Sequence, residues 1–222
     1  PGFERMPGFV SEKKSNLYCI MVDLALAAVL VLIYTNDLFT VYVFIEIMTI
    51  ASCALVAVRQ NGHTLVAITR YMIMHLFGSG LLLLGISMLY GITGHLLMVP
   101  LSEAVRQIVD SGQYLGPLTV VIALITAALA IKSAMFPFHV WAPDTYAFAP
   151  PLSSAILSGI ISKAYIFVMV KFFYRVIGMD LIVSQHINQF LLVCGVAGMI
   201  FGSILAISQR DIRRMIAYSS VA

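Results

Sequence analysis

Six stretches of this 222-residue sequence are long and apolar enough to cross a lipid bilayer, and nothing else in it limits the fold so strongly. They run 18–34, 38–58, 71–90, 118–141, 152–177 and 190–207. A spanning helix needs about 20 apolar residues. The first stretch is therefore short, and the fifth tilts or runs past the interface. No alternation of period two runs through them, so helices are expected rather than barrel strands. Composition agrees. Hydrophobic residues make up 61% of the chain and charged residues 10%, against about a quarter charged in a soluble domain. Mean hydropathy is +0.99. A soluble enzyme of this size could not hide so much apolar surface. A net charge of only +3, with no long basic run, excludes a nucleic-acid-binding or disordered chain. The expected fold is all-α, a polytopic transmembrane helical bundle, with residues 1–222 as a single transmembrane domain.

The segments between the spans carry less. His95–Asp110 is mixed in polarity and is expected to form a short amphipathic helix at the interface, capped by Ser102. Asp144 follows Pro143 in a Pro-rich loop, Ala142 to Pro151, where a helix cap or loop anchor is expected. Asp23 reads as interfacial, and Gly198 and Gly202 as a packing GxxxG. Cys19, Cys53 and Cys194 lie in apolar stretches, outside any CxxC or Cys/His spacing. No disulfide scaffold, zinc site, iron–sulfur cluster or nucleotide-binding signature is supported, so neither a cofactor nor a metal is expected. The sequence opens on proline with no signal-peptide pattern, and reads as a piece of something longer or a trimmed product.

Loop charges suggest an orientation. One side carries Arg5, Lys13, Lys14, Arg59, Arg210, Arg213 and Arg214, with Arg70 at its edge. The other carries Arg106 and, at the end of the fifth span, Lys171 and Arg175. Positive residues favour the cytoplasmic side, which places both termini there, against the pull of Lys171 and Arg175.

The informative residues are ionisable groups deep inside apolar segments: Glu46, Lys132 and Lys163, joined by the titratable His75. At about 1.5 Å per residue, Lys132 lies roughly 21 Å into its segment, Lys163 roughly 17 Å and Glu46 roughly 12 Å. A charge at such depth costs at least about 2.5–3.5 kcal/mol, too much to carry three times without pairing or hydration. Glu46 can pair with one lysine, most simply Lys132. Lys163 then has no carboxylate of its own, and must lose its proton or face water. Either state suits a proton relay; a static pair plus a hydrated lysine that merely orients helices is the plain alternative. His75, followed by Gly78-Ser79-Gly80, could pass protons or only hydrogen-bond a neighbouring helix. Pro137 cannot donate to the carbonyl of Ser133, next to Lys132. A helix broken beside an ionisable residue, with His139 on the same segment, is a recurrent arrangement in ion-translocating proteins.

Three motifs carry a family resemblance. Ile131-Lys132-Ser133-Ala134-Met135-Phe136-Pro137-Phe138-His139-Val140-Trp141-Ala142-Pro143-Asp144 resembles the hallmark stretch of the antiporter-like membrane subunits of respiratory complex I, membrane-bound [NiFe] hydrogenases and Mrp-type cation/proton antiporters. Ser158-Gly159-Ile160-Ile161-Ser162-Lys163-Ala164-Tyr165 resembles the family's next helix with its central lysine. Ser208 to Ser220, reading SQRDIRRMIAYSS, resembles the loop and helix start usually seen as QxDIKRxxAYSS.

The resemblance implies two inverted five-helix repeats, each with a broken helix. The six spans are then the family's helices 4 to 9: the first repeat plus one further helix. By carry-over Glu46 is the glutamate that pairs with the broken-helix Lys132, and Lys163 passes the proton along a central hydrated axis. Asp211 belongs to a structural motif. The counterpart broken helix of the second repeat would lie beyond Ala222, so another polypeptide or a C-terminal part is expected to supply the exit half. Tyr165 stands where the family often has glycine, and no histidine precedes the lysine on that helix, which resembles the shorter antiporter-like subunits.

The resulting expectation is a proton-translocating subunit, with sodium coupling as a variant, in the cell membrane. It would act inside a redox-driven respiratory or hydrogenase-type complex whose other membrane subunits are its partners. Opening the Glu46–Lys132 pair would bare the charge of Lys132 and drive the proton of Lys163 onward. Two unit charges about 7 Å apart interact by about 2–3 kcal/mol at an effective dielectric of 20. The rivals are a gradient-driven antiporter, stand-alone or a subunit of an Mrp-type Na+/H+ assembly, and a non-conducting structural subunit.

Overall fold

The computed structural model describes residues 12–58 and 61–222, with side chains from residue 15 onward. Arg5 and Arg59, and the side chains of Lys13 and Lys14, on which the orientation argument draws, lie outside the described residues. The helices are α1 (Glu12–Tyr34), α2 (Leu38–Ala57), α3 (Gly62–Thr93), α4 (Met98–Ser111), α5 (Leu115–Lys132), α6 (Ala142–Phe148), α7 (Pro151–Ile156), α8 (Ser162–Phe172), α9 (Met179–Ser184), α10 (Ile187–Ile207) and α11 (Ile212–Val221). A 3₁₀ turn, Phe138–Trp141, precedes α6, and π turns at Leu157–Ile161 and Phe173–Ile177 flank α8. With α7 and the π turns, α8 forms one rod, Pro151–Ile177. Among the described residues, that rod, α2, α3, α5, α10 and the Ser15–Tyr34 part of α1 are the six helices long and apolar enough to cross a membrane.

Three differences from the sequence reading have physical causes. The third span starts at Gly62 instead of residue 71. His63, Thr64 and Arg70 are polar, but a helix keeps its backbone bonds where it enters the headgroup region, so hydropathy stops short of the helix. The short helix expected there exists as α4, but Ser102 does not cap it. Leu97 stands at its N-terminus with no side-chain bond, and Ser102 lies inside the helix, donating to the Val99 carbonyl at 2.8 Å. The expected loop after Ala142 is the helix α6, with Pro143 in its first turn, where the missing N–H costs nothing.

The fourth span, read as one segment 118–141 with a proline break, stops at Lys132. Ser133 donates to the Leu129 carbonyl at 2.9 Å and Met135 to that of Ala130 at 3.0 Å, with Ala134 left-handed at φ 59°. This is a helix-ending turn. The Trp141 indole reaches back and donates to the Ile131 carbonyl at 3.0 Å. The break thus begins four residues before Pro137, and the carbonyls it frees belong to the last turn of α5 rather than to Ser133 alone.

The core forms where α3 lies along α5, α1 along α2, and α8 against α5. Gly78 sets the closest approach near Lys132: a Cβ there would sit 3.3 Å from the Ala128 carbonyl oxygen and 3.4 Å from Lys132 Cγ. The glycines of the GxxxG pack as expected, Gly202 against Ala222 and Gly198 against Phe136.

Candidate ion-relay site

Glu46 projects from the middle of α2, and Lys132 is the last residue of α5. Their separation is 3.2 Å from Nζ to Oε1. Lys132 is fully buried, while the Glu46 side chain is 28% exposed. At 3.2 Å and an effective dielectric near 20, Coulomb attraction is about 5 kcal/mol. Holding two charges at depth costs about 5–7 kcal/mol. The two nearly cancel, so neighbouring hydrogen bonds decide whether the pair is closed.

Those neighbours are Ser79, Thr49 and Tyr165. Lys132 donates to Ser79 Oγ at 2.8 Å and lies 3.4 Å from Thr49 Oγ1. Ser79 donates to Glu46 Oε1 at 2.5 Å. Thr49 donates to the Ile45 carbonyl at 2.9 Å, so the Tyr165 hydroxyl, 3.2 Å away, is the donor in their contact. The Tyr165 ring lies 5.9 Å from the ammonium, within cation–π reach. Residues three apart on a helix share a face, so Thr49 was readable from Glu46. Ser79 and Tyr165 carried no local signal, because a long-range approach of α3 and α8 brings them in.

His75 is fully buried one turn before Ser79. It stacks on Tyr71 at 4.0 Å and meets the edge of Trp141 at 4.7 Å. Neither ring nitrogen has a protein partner, and neither does the Tyr71 hydroxyl. The nearby Ser52 hydroxyl donates to the Met48 carbonyl at 2.6 Å. Groups buried in this way are usually satisfied by water. His139 sits on the 3₁₀ turn after the break, stacked on Phe136 at 5.5 Å, with Nδ1 unpartnered and no hydrogen bond to Lys132 among the described residues. Lys163 is not brought to the pair. It is exposed on α8 and makes no hydrogen bond or ion pair among the described residues. The Cys19, Cys53 and Cys194 thiols are free, and no cluster of three His, Cys, Asp or Glu occurs among the described residues.

An ionic clamp holds the far half of the broken helix. Asp144, in the first turn of α6, meets Arg70 of α3 at 2.7 Å and Arg214 of α11 at 3.1 Å. Arg214 also lies over the Phe148 ring at 5.5 Å, and His63 stacks on that ring at 5.6 Å. Asp211 caps α11 by accepting from the Arg213 N–H at 2.9 Å. The loop anchor expected at Asp144 is therefore a three-helix tie.

A membrane bundle with a buried acid–amine pair at an interrupted helix has the fold of the antiporter-like membrane subunits. The family described as "NADH:quinone oxidoreductase/Mrp antiporter, TM" matches residues 35–222, and the chain belongs to it. It is 36% identical over 219 residues to the NADH-quinone oxidoreductase subunit N of Desulforudis audaxviator, covering 98% of this chain and 42% of that one. Among solved structures it is similar to a chain of the membrane-bound sulfane sulfur reductase, an archaeal respiratory membrane complex (TM-score 0.86, 28% identity, 97% of this chain and 43% of that one). It is also similar to a chain of the Mrp complex from Dietzia sp. (TM-score 0.79, 28% identity, 90% of this chain and 36% of that one). The chain thus spans less than half the length of these relatives.

Proposed function

We propose that this chain, as one transmembrane domain, carries the Glu46–Lys132 half of a proton relay in an antiporter-like subunit of a redox-driven respiratory or hydrogenase-type complex. Protons are the carried ion, and sodium is the alternative coupled one. The observation that carries the reading is the pair itself: a fully buried amine at the end of a broken helix, 3.2 Å from a partly exposed carboxylate. With attraction and burial cost nearly equal, a small change nearby opens it. The bared ammonium then repels a proton held further along, for which Lys163 is the onward carrier. His75, with unpartnered nitrogens beside the pair, and His139 on the break extend the path. Redox chemistry belongs to other subunits, and the neighbouring membrane subunits are the partners.

The loops that flank α6 face the cytoplasm, and both chain ends lie on that side of the cell membrane. Arg70 and Arg214 converge there on Asp144. On the opposite side the Lys171 amine is buried against backbone carbonyls of α1 instead of standing in a loop, which removes one of the two charges that opposed this orientation. The likeness to a chain of an Mrp complex supports a second reading, a subunit of a gradient-driven Na+/H+ antiporter.

Glu46→Gln in the native assembly tests the relay. Proton translocation into membrane vesicles should fall about tenfold or more, with assembly unchanged, because a neutral amide can neither hold nor release the Lys132 charge. Normal translocation by assembled Glu46→Gln protein would leave a non-conducting structural subunit as the reading. Translocation driven by a sodium gradient with no redox partner present would favour the Mrp-type reading.

A further inference from the structure

Ser79 has one hydroxyl proton and two acceptors for it. Its oxygen lies 2.5 Å from Glu46 Oε1 and 2.8 Å from the His75 carbonyl oxygen, and it accepts from the Lys132 ammonium at 2.8 Å. A hydroxyl donates once, so these bonds cannot all be made together. With the proton toward Glu46, the serine links acid and amine by two bonds, both shorter than the direct 3.2 Å contact. With the proton toward the His75 carbonyl, the tie to the carboxylate is gone, yet the oxygen still accepts from Lys132. Both states keep every group on Ser79 satisfied.

We propose that Ser79 is the positioning residue that sets the balance between the closed and open Glu46–Lys132 pair, by turning its single proton between the Glu46 carboxylate and the His75 carbonyl. This rests on the relay reading above and adds to it the element with two settings. Location supports the assignment. Ser79 is 4% exposed and sits on α3, where Gly78 lets that helix approach Lys132. The carbonyl it would turn to is four residues back on its own helix, so the swing needs no backbone movement. Without the hydroxyl, the hydrogen-bonding contacts left to Lys132 among the described residues are those to Glu46 at 3.2 Å and Thr49 at 3.4 Å, and the open state leaves the amine with fewer partners.

The test compares Ser79→Ala, Ser79→Thr and Glu46→Gln in vesicles containing the intact assembly. Ser79→Ala should slow proton translocation about tenfold, the scale of one hydrogen bond to a charged group, and Ser79→Thr, which retains the hydroxyl, should restore it. Isotope-edited infrared spectra should show the carboxyl band that Glu46→Gln removes shifted in Ser79→Ala and unshifted in Ser79→Thr. Unimpaired Ser79→Ala, equal impairment in both serine variants, an unshifted band, or failure of Ser79→Ala to assemble each overturns the proposal, the last by marking the serine as a packing residue. A slow Glu46→Gln beside a normal Ser79→Ala removes Ser79 and leaves the relay. A normal Glu46→Gln removes the relay itself.

Discussion

Lys132→Ala should lower proton translocation by about a hundredfold or more, the range for loss of a positioned group of a proton relay, while the protein still inserts and assembles. The amine is the one group that touches Glu46, Ser79 and Thr49 together and lies over the Tyr165 ring. Nothing else among the described residues can return a charge to that point. Assembly should survive for two reasons. The Glu46 side chain is 28% exposed, so it is not sealed in the core when its partner is removed. The end of α5 is held by backbone bonds and the Trp141 indole, not by the lysine. Translocation measured against the amount of assembled complex checks this. A variant that assembles fully and pumps normally would contradict the role given to Lys132.

Lys171→Met should destabilise the bundle by about 2–4 kcal/mol, the sum of a few charge-assisted hydrogen bonds after partial rehydration, with translocation chemistry untouched. The last carbonyls of a helix have no partner within it. At the end of α1, Leu32 and Ile33 offer theirs to the Lys171 amine at 3.0 Å each, and Thr35 adds a third. Arg175 donates to Asn36 Oδ1 at 2.9 Å beside them. A cation suits the negative end of a helix, and Lys171 is buried there, where water has little access. Methionine fills the volume and supplies no donor. Unfolding in mixed micelles measures the loss, and Lys171→Arg should recover most of it. Equal stability of the methionine variant would mean that water takes over the three carbonyls.

How much of this was legible follows from the range over which each signal acts. The six spans and the broken helix were readable, because hydropathy and a proline report on local backbone. Glu46 and Lys132 were readable as partners by energy alone: two opposite charges at depth have few other resolutions. Their setting was not. Ser79 and Tyr165 are ordinary residues in apolar helices until α3 and α8 are packed around α5. Lys171 was read as a loop charge because its sequence position lies at a span's end, and only the docking of α1 turns it into a cap. Asp144 looked like a loop anchor because a Pro-rich stretch hides a short helix with proline in its first turn. Lys163 is the opposite case. Its depth was clear from the sequence, yet in this chain it is exposed and bonds to neither member of the pair among the described residues, so its place in a relay depends on what lies between it and Lys132.

That gap is where the account is tested most directly. A structure of the intact native assembly, at a resolution that shows ordered water, should contain an unbroken line of water and polar side chains from the Lys132 amine to Lys163. His75 should carry water on at least one ring nitrogen. A dry, apolar partition between the two lysines, with Lys163 facing lipid, would contradict the claim that these buried charges hand ions to one another.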